Sequence, residues 1–390
     1  MGVLVSTTDA VIVSAVRTPV GIGKPEKGVL SGIHPVDLSA IVLRAVTERA
    51  GVDPALVDDV IWGCVSQVGE QGVNVARNAV LTAGFPEEVP GTSIDRQCGS
   101  SQQAVTFAAA SVIAGHQDIV IAGGVESMSR VPMFSNMVGG EGPFPASMHA
   151  RYDNGLVPQG ISAEMIAAKW GLSRAYLDEL AAASQQRAAA ARSAGLFDAE
   201  IVPVHALQGT VTEDQGIRPD TTVESLAALK TPFQADGVVT AGNASQISDG
   251  SAALLIMSST KAAELGLKPI ARIHTVAMAG VDPVIMLTGP IPATERAIKK
   301  SGLALSDIGA FEVNEAFASV IGAWLADTGA DHALTNINGG AIALGHPLGA
   351  SGARLMTTLV HHMQRSGTRY GLQTMCEGGG MANATILELL

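Results

Sequence analysis

The sequence predicts an α/β fold made of two similar halves, and three observations carry that prediction. Short apolar runs rich in Val, Ile and Ala alternate with longer segments whose apolar residues recur at helical spacing. The order of these runs in the last third of the chain repeats their order in the first. The repeat keeps its spacing too: Cys98 lies 39 positions after Asp59, and His346 lies 39 after Asp307. Strands alternating with helices imply parallel sheets with right-handed crossovers. In such sheets chemistry gathers at the carboxyl ends of the strands.

Residues 10–16 form an apolar, β-branched run and read as a buried strand, ended by the turn at 17–21. Gly21-Ile22-Gly23-Lys24 has the wrong spacing for a nucleotide loop and reads as a turn. Residues 36–50 put Leu38, Ile41, Val42, Ala45 and Val46 on one helical face. Residues 60–65 are the next strand, with Cys64 in the core, and 74–83 a helix stopped by Gly84 and Pro86. A short extended run then meets Cys98, a helix follows over 104–114, and 119–122 is a buried strand. Between Met128 and Gly242 the texture becomes irregular, with helices at 161–170, 174–194 and 223–229. This predicts an inserted loop domain over 121–242. Residues 1–120 and 243–270 would form the N-terminal half and 271–390 the C-terminal half. The second half repeats the pattern: strands at 271–276, 310–313 and 372–375, helices at 294–300 and from about 351 to 364, then a glycine turn at 378–380.

Composition narrows the function classes. A chain of 390 residues, 47% hydrophobic and 15% charged, buries large cores and suggests two or three domains. A net charge of −12 with no Lys/Arg-rich run argues against nucleic acid as a partner and offers no attraction to anionic lipid. Three cysteines (Cys64, Cys98 and Cys376) make neither a disulfide framework nor a CxxC metal spacing, so no metal is expected and a reducing, cytoplasmic setting is. No stretch reaches the ~18 apolar residues that span a bilayer. The N-terminus lacks the basic region and unbroken apolar core of a signal peptide. Met1-Gly2-Val3-Leu4-Val5-Ser6 fits the short myristoylation pattern, but runs straight into the first strand.

Cys98 stands where an extended run turns into a helix. The first N–H groups of a helix lack intrahelical partners and carry partial positive charge. A thiol there is expected to have a lowered pKa and to be nucleophilic. Taken alone, a cysteine is by default a small buried hydrophobe, and an asparagine or histidine a turn or core residue. The weight comes from the set. Asp95-Arg96-Gln97-Cys98-Gly99-Ser100-Ser101-Gln102-Gln103, Asn314-Glu315-Ala316-Phe317, Gly345-His346-Pro347 and Cys376-Glu377-Gly378-Gly379-Gly380 together resemble the thiolase family of acetyl-CoA acyltransferases. Supporting runs are Gly123-Gly124-Val125-Glu126-Ser127-Met128-Ser129, Thr240-Ala241-Gly242-Asn243-Ala244-Ser245 and Asn338-Gly339-Gly340-Ala341-Ile342-Ala343. The resemblance covers essentially the whole chain.

The resemblance implies a layered α/β/α/β/α sandwich with a loop domain inserted in the first half. It implies cleavage of a 3-ketoacyl-CoA by CoA, with Cys98 as nucleophile, His346 as base and Cys376 as the second catalytic cysteine. One oxyanion hole would use His346 and a water held by Asn314, the other the backbone N–H groups of Cys98 and Gly378. Arg218 and Ser225 match positions near the nucleotide end of CoA, and Ser245 one near the pantetheine. CoA would be a co-substrate, with no permanently bound cofactor and no metal. The assembly would be a homodimer or a homotetramer joined through the loop domain.

Some positions depart from the short-chain pattern of the family. Pro158-Gln159-Gly160 replaces a common His-Met-Gly, Leu287 stands where a glycine is usual, and Ala382 replaces another glycine. The surrounds of Cys98 and Cys376 look most like thiolases of actinobacterial steroid and fatty-acid breakdown. A degradative enzyme taking something larger or more branched than acetoacetyl-CoA is therefore expected. The alternatives are a biosynthetic acetoacetyl-CoA thiolase, a non-catalytic acyl-CoA or lipid-binding relative, and a decarboxylating ketoacyl synthase. The last pairs its cysteine with two histidines, where this chain has Asn314 and Cys376 in addition to His346.

Overall fold

The structure, a computed structural model, describes residues 8–152 and 155–390. The hexapeptide of the acylation pattern lies outside the described residues. The first half comprises β1 (Ala10–Arg17), β2 (Gly21–Ile22), α1 (Pro35–Ala50), β3 (Asp59–Gly63), α2 (Val75–Thr82), β4 (Gly91–Ile94), α3 (Ser100–Ile113) and β5 (Ile119–Ser127). Then come α4 (Ala146–Arg151), α5 (Gln159–Trp170), α6 (Arg174–Ser193), the small hairpin β6 (Val204–Ala206) and β7 (Gly209–Val211), and α7 (Val223–Ala227). β8 (Ser248–Ser258) returns to the first sheet and α8 (Ser259–Glu264) leads out of it. The second half comprises β9 (Ala271–Gly280), α9 (Pro290–Ser301), β10 (Ala310–Val313), α10 (Ala318–Thr328), α11 (Ala341–Leu344), α12 (Ser351–Ser366), β11 (Tyr370–Glu377) and β12 (Met381–Leu389).

The duplication is visible in the pairing. In the first half the strands run β4-β3-β5-β8-β1, in the second β10-β11-β12-β9. In both, the leading strands are parallel (β3 with β4 and β5, β10 with β11) and the rest antiparallel. The sheets are therefore mixed rather than wholly parallel. β12 follows β11 through the tight glycine turn, and a hairpin can only be antiparallel. β8 likewise returns antiparallel to β5 after the long insertion. The halves meet at a narrow seam, where β1 pairs β9 through Val11 with Arg272 and Ile12 with Ala271.

Alternation along each strand builds the layers. On β8, Ala253, Leu255 and Met257 enter one buried cluster, and Ala252, Leu254 and Ile256 another. The first cluster holds Leu38, Val42 and Val46 of α1 and Val75, Ala79 and Val80 of α2. The second holds Ala104, Val105 and Ala108 of α3 together with Ala353, Met356, Leu359 and Val360 of α12. It also receives Ile273, Ala310 and Leu387 from the other half. A third cluster packs Ala293, Ala297, Ile321 and Trp324 of α9 and α10 on Phe311, Leu372 and Ile386. The order is helices, sheet, the α3–α12 pair, sheet, helices. That is the five-layered sandwich. Among the described residues, no helix is long and apolar enough to cross a membrane.

Arg17, at the end of β1, is fully buried. Its Nε donates to Glu200 at 2.6 Å, and its Nη1 and Nη2 donate to Asp214 at 2.7 and 2.9 Å. Burial opposes the charge, but Asp214 and Glu200 more than offset it and hold the guanidinium above its ordinary pKa. Glu200 also accepts from Thr358 of α12 at 2.9 Å. The pair thus fastens the segment before α7 to the first sheet and the central helices. Arg17→Met leaves two carboxylates buried without their partner. We expect a loss of about 3–5 kcal/mol, read from the midpoint of urea unfolding.

Candidate active site

Four chain segments converge on one buried site. Asn314 follows the carboxyl end of β10, and Cys376 lies at the end of the neighbouring parallel strand β11. Asn314 N–H donates to the Thr374 carbonyl at 3.0 Å, which fixes the two ends against each other. Cys98 follows the carboxyl end of β4. Between them Gln97 takes a φ of 48°, an uncommon conformation for a side-chain-bearing residue. Asp95 Oδ1 accepts the Gln97 N–H at 2.6 Å, and Ser100 Oγ donates to the Gln97 carbonyl at 2.6 Å. These bonds hold the turn that presents Cys98.

His346 arrives from the other half. The helices after Cys98 and His346 pack N-terminus to N-terminus. Gly352 makes this possible, since a Cβ there would collide with the Gln102 backbone. Ala353 N–H donates to Ser101 Oγ at 2.9 Å across the junction. His346 Nδ1 lies 2.6 Å from Ser351 Oγ, whose proton goes to the Pro347 carbonyl at 2.8 Å. Nδ1 is therefore the donor to Ser351, and Nε2 keeps its lone pair. Asn314 Nδ2 faces that lone pair at 3.4 Å. Asn314 Oδ1 is buried with no hydrogen-bond partner among the described residues.

The sulfur of Cys98 is addressed by its own backbone N–H and by that of Gly378, one turn beyond Cys376. Two N–H groups aimed at one point form a donor pair for a developing oxyanion. Cys98, His346, Asn314 and Cys376 are all buried. Burial, and then the charge of Glu377, push the Cys98 thiol up to about 12. This overturns the lowered pKa expected from a helix start. Cys98 sits just outside the N-cap Gly99, and desolvation in a closed site outweighs the helix end. Burial first and the positive field of Arg354 second push His346 down to about 3. Burial, then Cys98 and Glu377, push Cys376 well above its ordinary value. The resting site thus holds two neutral thiols and a neutral imidazole.

Several supporting motifs prove to be braces. Glu126 accepts from Val65 N–H, Ser66 N–H, Gln71 Nε2 and Gly349 N–H at 2.9–3.0 Å, tying the first half to the turn after His346. Glu315 accepts from Ser184 at 2.6 Å, Asn336 at 2.9 Å and Ile342 N–H at 3.1 Å. Neither role was readable, because a lone carboxyl among small residues gives no sequence signal. Ser351, which sets the tautomer of His346, was hidden in a small-residue turn.

Of the three residues expected near CoA, Ser245 lies beside the site: its N–H donates to the Ala316 carbonyl at 3.0 Å. Arg218 and Ser225 are exposed on the inserted segment. Ser225 closes the capping box of α7 with Thr222. Met286, Leu287, Phe317, Val320 and Cys376 share one apolar cluster, and Phe233 meets Phe317 edge-on at 6.2 Å. Ala382 is the cross-strand partner of Cys376, so its methyl lies on the same face. A Cβ placed on Gly378 would lie 3.1 Å from Gln97 Oε1 and 3.4 Å from Gln159 Nε2, so both amides border the oxyanion pair. Among the described residues, no three His, Cys, Asp or Glu side chains are grouped as metal ligands.

The model of the thiolase N-terminal domain matches residues 10–260, and that of the thiolase C-terminal domain matches 267–389. The chain belongs to the thiolase family. This thiolase is 50% identical over 391 residues to the steroid 3-ketoacyl-CoA thiolase FadA6 of Mycobacterium tuberculosis, covering 98% of this chain and 95% of that protein. It is 47% identical over 388 residues to a 3-ketoacyl-CoA thiolase of Erwinia tasmaniensis, covering 97% and 98%. The crystal structure of the Bacillus anthracis acetyl-CoA acetyltransferase overlays on this thiolase with a TM-score of 0.90 at 38% identity, covering 99% of this chain and all of that one.

Proposed function

We propose that this thiolase degrades 3-ketoacyl-CoAs, cleaving them with CoA to acetyl-CoA or propionyl-CoA and a shortened acyl-CoA. The observation that carries the reading is the convergence of Cys98, Asn314 and Cys376, at the ends of parallel strands from both halves, with His346 from the turn after α11. A thiol with a pKa of about 12 is ionised in only about one molecule in 10⁵ at pH 7. Attack must therefore be coupled to proton removal, and His346 Nε2 is the unprotonated base for it. Its present partner, Asn314, gives way as the cleft fills, since catalytic hydrogen bonds tighten only with substrate bound.

Cys98 Sγ bonds to the ketone carbon while its proton passes to His346. The bond between the alpha and beta carbons breaks, and its electron pair leaves as the thioester enolate. Cys376 gives its proton to the alpha carbon, releasing acetyl-CoA. The proton on His346 passes to the Cys376 thiolate, and the freed imidazole takes the thiol proton of CoA as CoA attacks the acyl-Cys98 carbonyl. Cys98 leaves and recovers the proton held on His346. The N–H pair of Cys98 and Gly378 serves the oxyanion of one stage, and His346 with a water on Asn314 the other. We assign to the inserted segment, through Arg218 and Ser225, the nucleotide end of CoA, and to Ser245 the pantetheine.

Gln159 borders Gly378, Leu287 shares an apolar cluster with Cys376, and Ala382 is the cross-strand partner of Cys376. These departures change the lining around the reacting sulfurs, and we infer from them a substrate larger or more branched than acetoacetyl-CoA. Steady-state thiolysis across chain lengths and branching checks this. We expect kcat/KM to be at least about tenfold higher on the larger substrates, the ~1–3 kcal/mol that a methylene or two is worth in a fitted pocket. A preference for acetoacetyl-CoA would favour the biosynthetic reading instead.

A further inference from the structure

Cys376 and Glu377 are neighbours at the end of β11, and strand alternation sends them to opposite faces. Cys376 joins the apolar cluster of Met286 and Phe317. Glu377 turns the other way, beneath the backbone that carries the first cysteine. A Cβ added to Gly99 would collide with its carboxyl. The side chain is fully buried, yet neither carboxyl oxygen has a hydrogen-bond partner among the described residues. A buried carboxyl without donors is costly, and such groups are rare unless they serve a purpose. Packing does not call for one here, because the positions flanking Glu377 on this face are Met375 and its cross-strand partner Met381.

The charges around it are few. Arg96 reaches the same place: its Nη1 lies 4.0 Å from Met381 Sδ, and its Nε is buried and unpaired. Arg96 opposes, and Asp95 reinforces, the negative potential at Glu377. Asn383 donates to the Gly99 carbonyl at 3.1 Å and leaves its Oδ1 unpaired beside them. On the other side of the carboxyl, Cys98 and Cys376 both feel its charge, and Glu126 adds a smaller contribution at Cys98.

We propose that Glu377, with Arg96 as its counter-ion, is a positioning residue that restrains the reactivity of Cys98 from beneath the strand. The proposal rests on Cys98 being the nucleophile. The carboxyl does not touch the acyl group. It acts through the sulfur, because an ionised Glu377 raises the cost of any negative charge there. That restraint falls both on the attacking thiolate and on the thiolate that must depart from the acyl-enzyme. Where the carboxyl is ionised, it lengthens the life of the acyl-Cys98 intermediate until CoA arrives.

The test is the rate of iodoacetamide alkylation at Cys98, followed by peptide mass spectrometry from pH 6 to 10, in the wild type and in Glu377→Gln. Burial brings the titration of Glu377 to about 8, so below pH 7 the carboxyl is neutral and the two profiles should converge. Above pH 9 it is charged, and Glu377→Gln should react about tenfold faster, the change that one pKa unit makes. Glu377→Asp keeps the charge and should stay with the wild type. Glu377→Met, similar in length, serves if the Gln variant folds poorly. Superimposed profiles at all pH values would overturn the proposal. A separate arm labels the wild type with acetyl-CoA: no adduct on Cys98 would overturn the thiolase reading itself, whereas an adduct with unmoved profiles would overturn only the role of Glu377.

Discussion

Cys98→Ala is expected to lose thiolysis by about 10⁴–10⁶-fold, roughly 5.4–8 kcal/mol of transition-state stabilisation at 1.36 kcal/mol per tenfold. The loss should be visible before any turnover. Wild-type protein incubated with acetyl-CoA should carry an acetyl group on the peptide containing Cys98, and the variant should carry none. The adduct is demanded by the arrangement of donors. The N–H groups of Cys98 and Gly378 point at the position the sulfur occupies, so an acyl carbonyl bonded to that sulfur has its oxygen beside two donors. The alanine variant keeps both N–H groups, the neutral His346 and the Asn314 amide. It should therefore still bind acyl-CoA, and a binding measurement on it separates loss of the nucleophile from loss of the site. An undiminished acetyl adduct in Cys98→Ala would move the covalent step to another residue. The other two cysteines, Cys64 and Cys376, are the candidates that peptide mapping would distinguish.

Much of this arrangement is legible in the sequence, for a definite reason. Residues that bear chemistry in tight turns need small neighbours, so Cys98 and Cys376 at strand ends and His346 after α11 are each followed by glycine-containing segments that mark them. β8 and β5 are buried on both faces, and their apolar stretches, 252–257 and 119–122, read as continuous runs. What escaped the reading was of two kinds. β12 carries Asn383 and Thr385 at buried positions, where they bond across to Gly99 and pair with Gln373 in register, and such polar insertions break the apolar run that announces a strand. The raised pKa of Cys98 is not legible locally, because the neighbouring sequence shows the helix that follows but not the burial to which α12 contributes, packed on Ser101 from 252 residues away. For the same reason Glu126, Glu315 and Glu377 were invisible as braces or charges. Each acts across a long sequence separation, and nothing in its own neighbourhood distinguishes a buried carboxyl from a solvated one. His361 of α12 likewise has its Nε2 3.0 Å from the Ala15 carbonyl of β1, a contact its own neighbourhood does not announce.

Cys376→Ser should divide the reaction in two. The serine keeps the size and the hydrogen-bonding proton but has a much weaker acidity, so it cannot protonate a departing enolate or remove the alpha proton of acetyl-CoA at a useful rate. Loss of one general acid–base group costs about 10²–10⁴ in rate, and we expect cleavage and condensation to fall by that amount. Acyl transfer between CoA and Cys98 breaks no carbon–carbon bond and makes no enolate. In that half-reaction His346 alone can return the proton, so labelling of Cys98 by acetyl-CoA and exchange of the acetyl group with isotopically labelled CoA should survive far better than overall thiolysis. The prediction follows from where the two sulfurs stand. Cys98 has the two N–H donors and the turn from β4, whereas Cys376 sits in the apolar cluster of Met286, Leu287 and Phe317 with its own backbone N–H set against its sulfur. An apolar setting keeps a thiol protonated and thus able to give its proton to carbon, and burial already holds Cys376 well above its ordinary pKa. If exchange and cleavage fell together in Cys376→Ser, the second sulfur would be acting on the acyl-transfer step as well, and the division of labour between the two strand ends would be wrong.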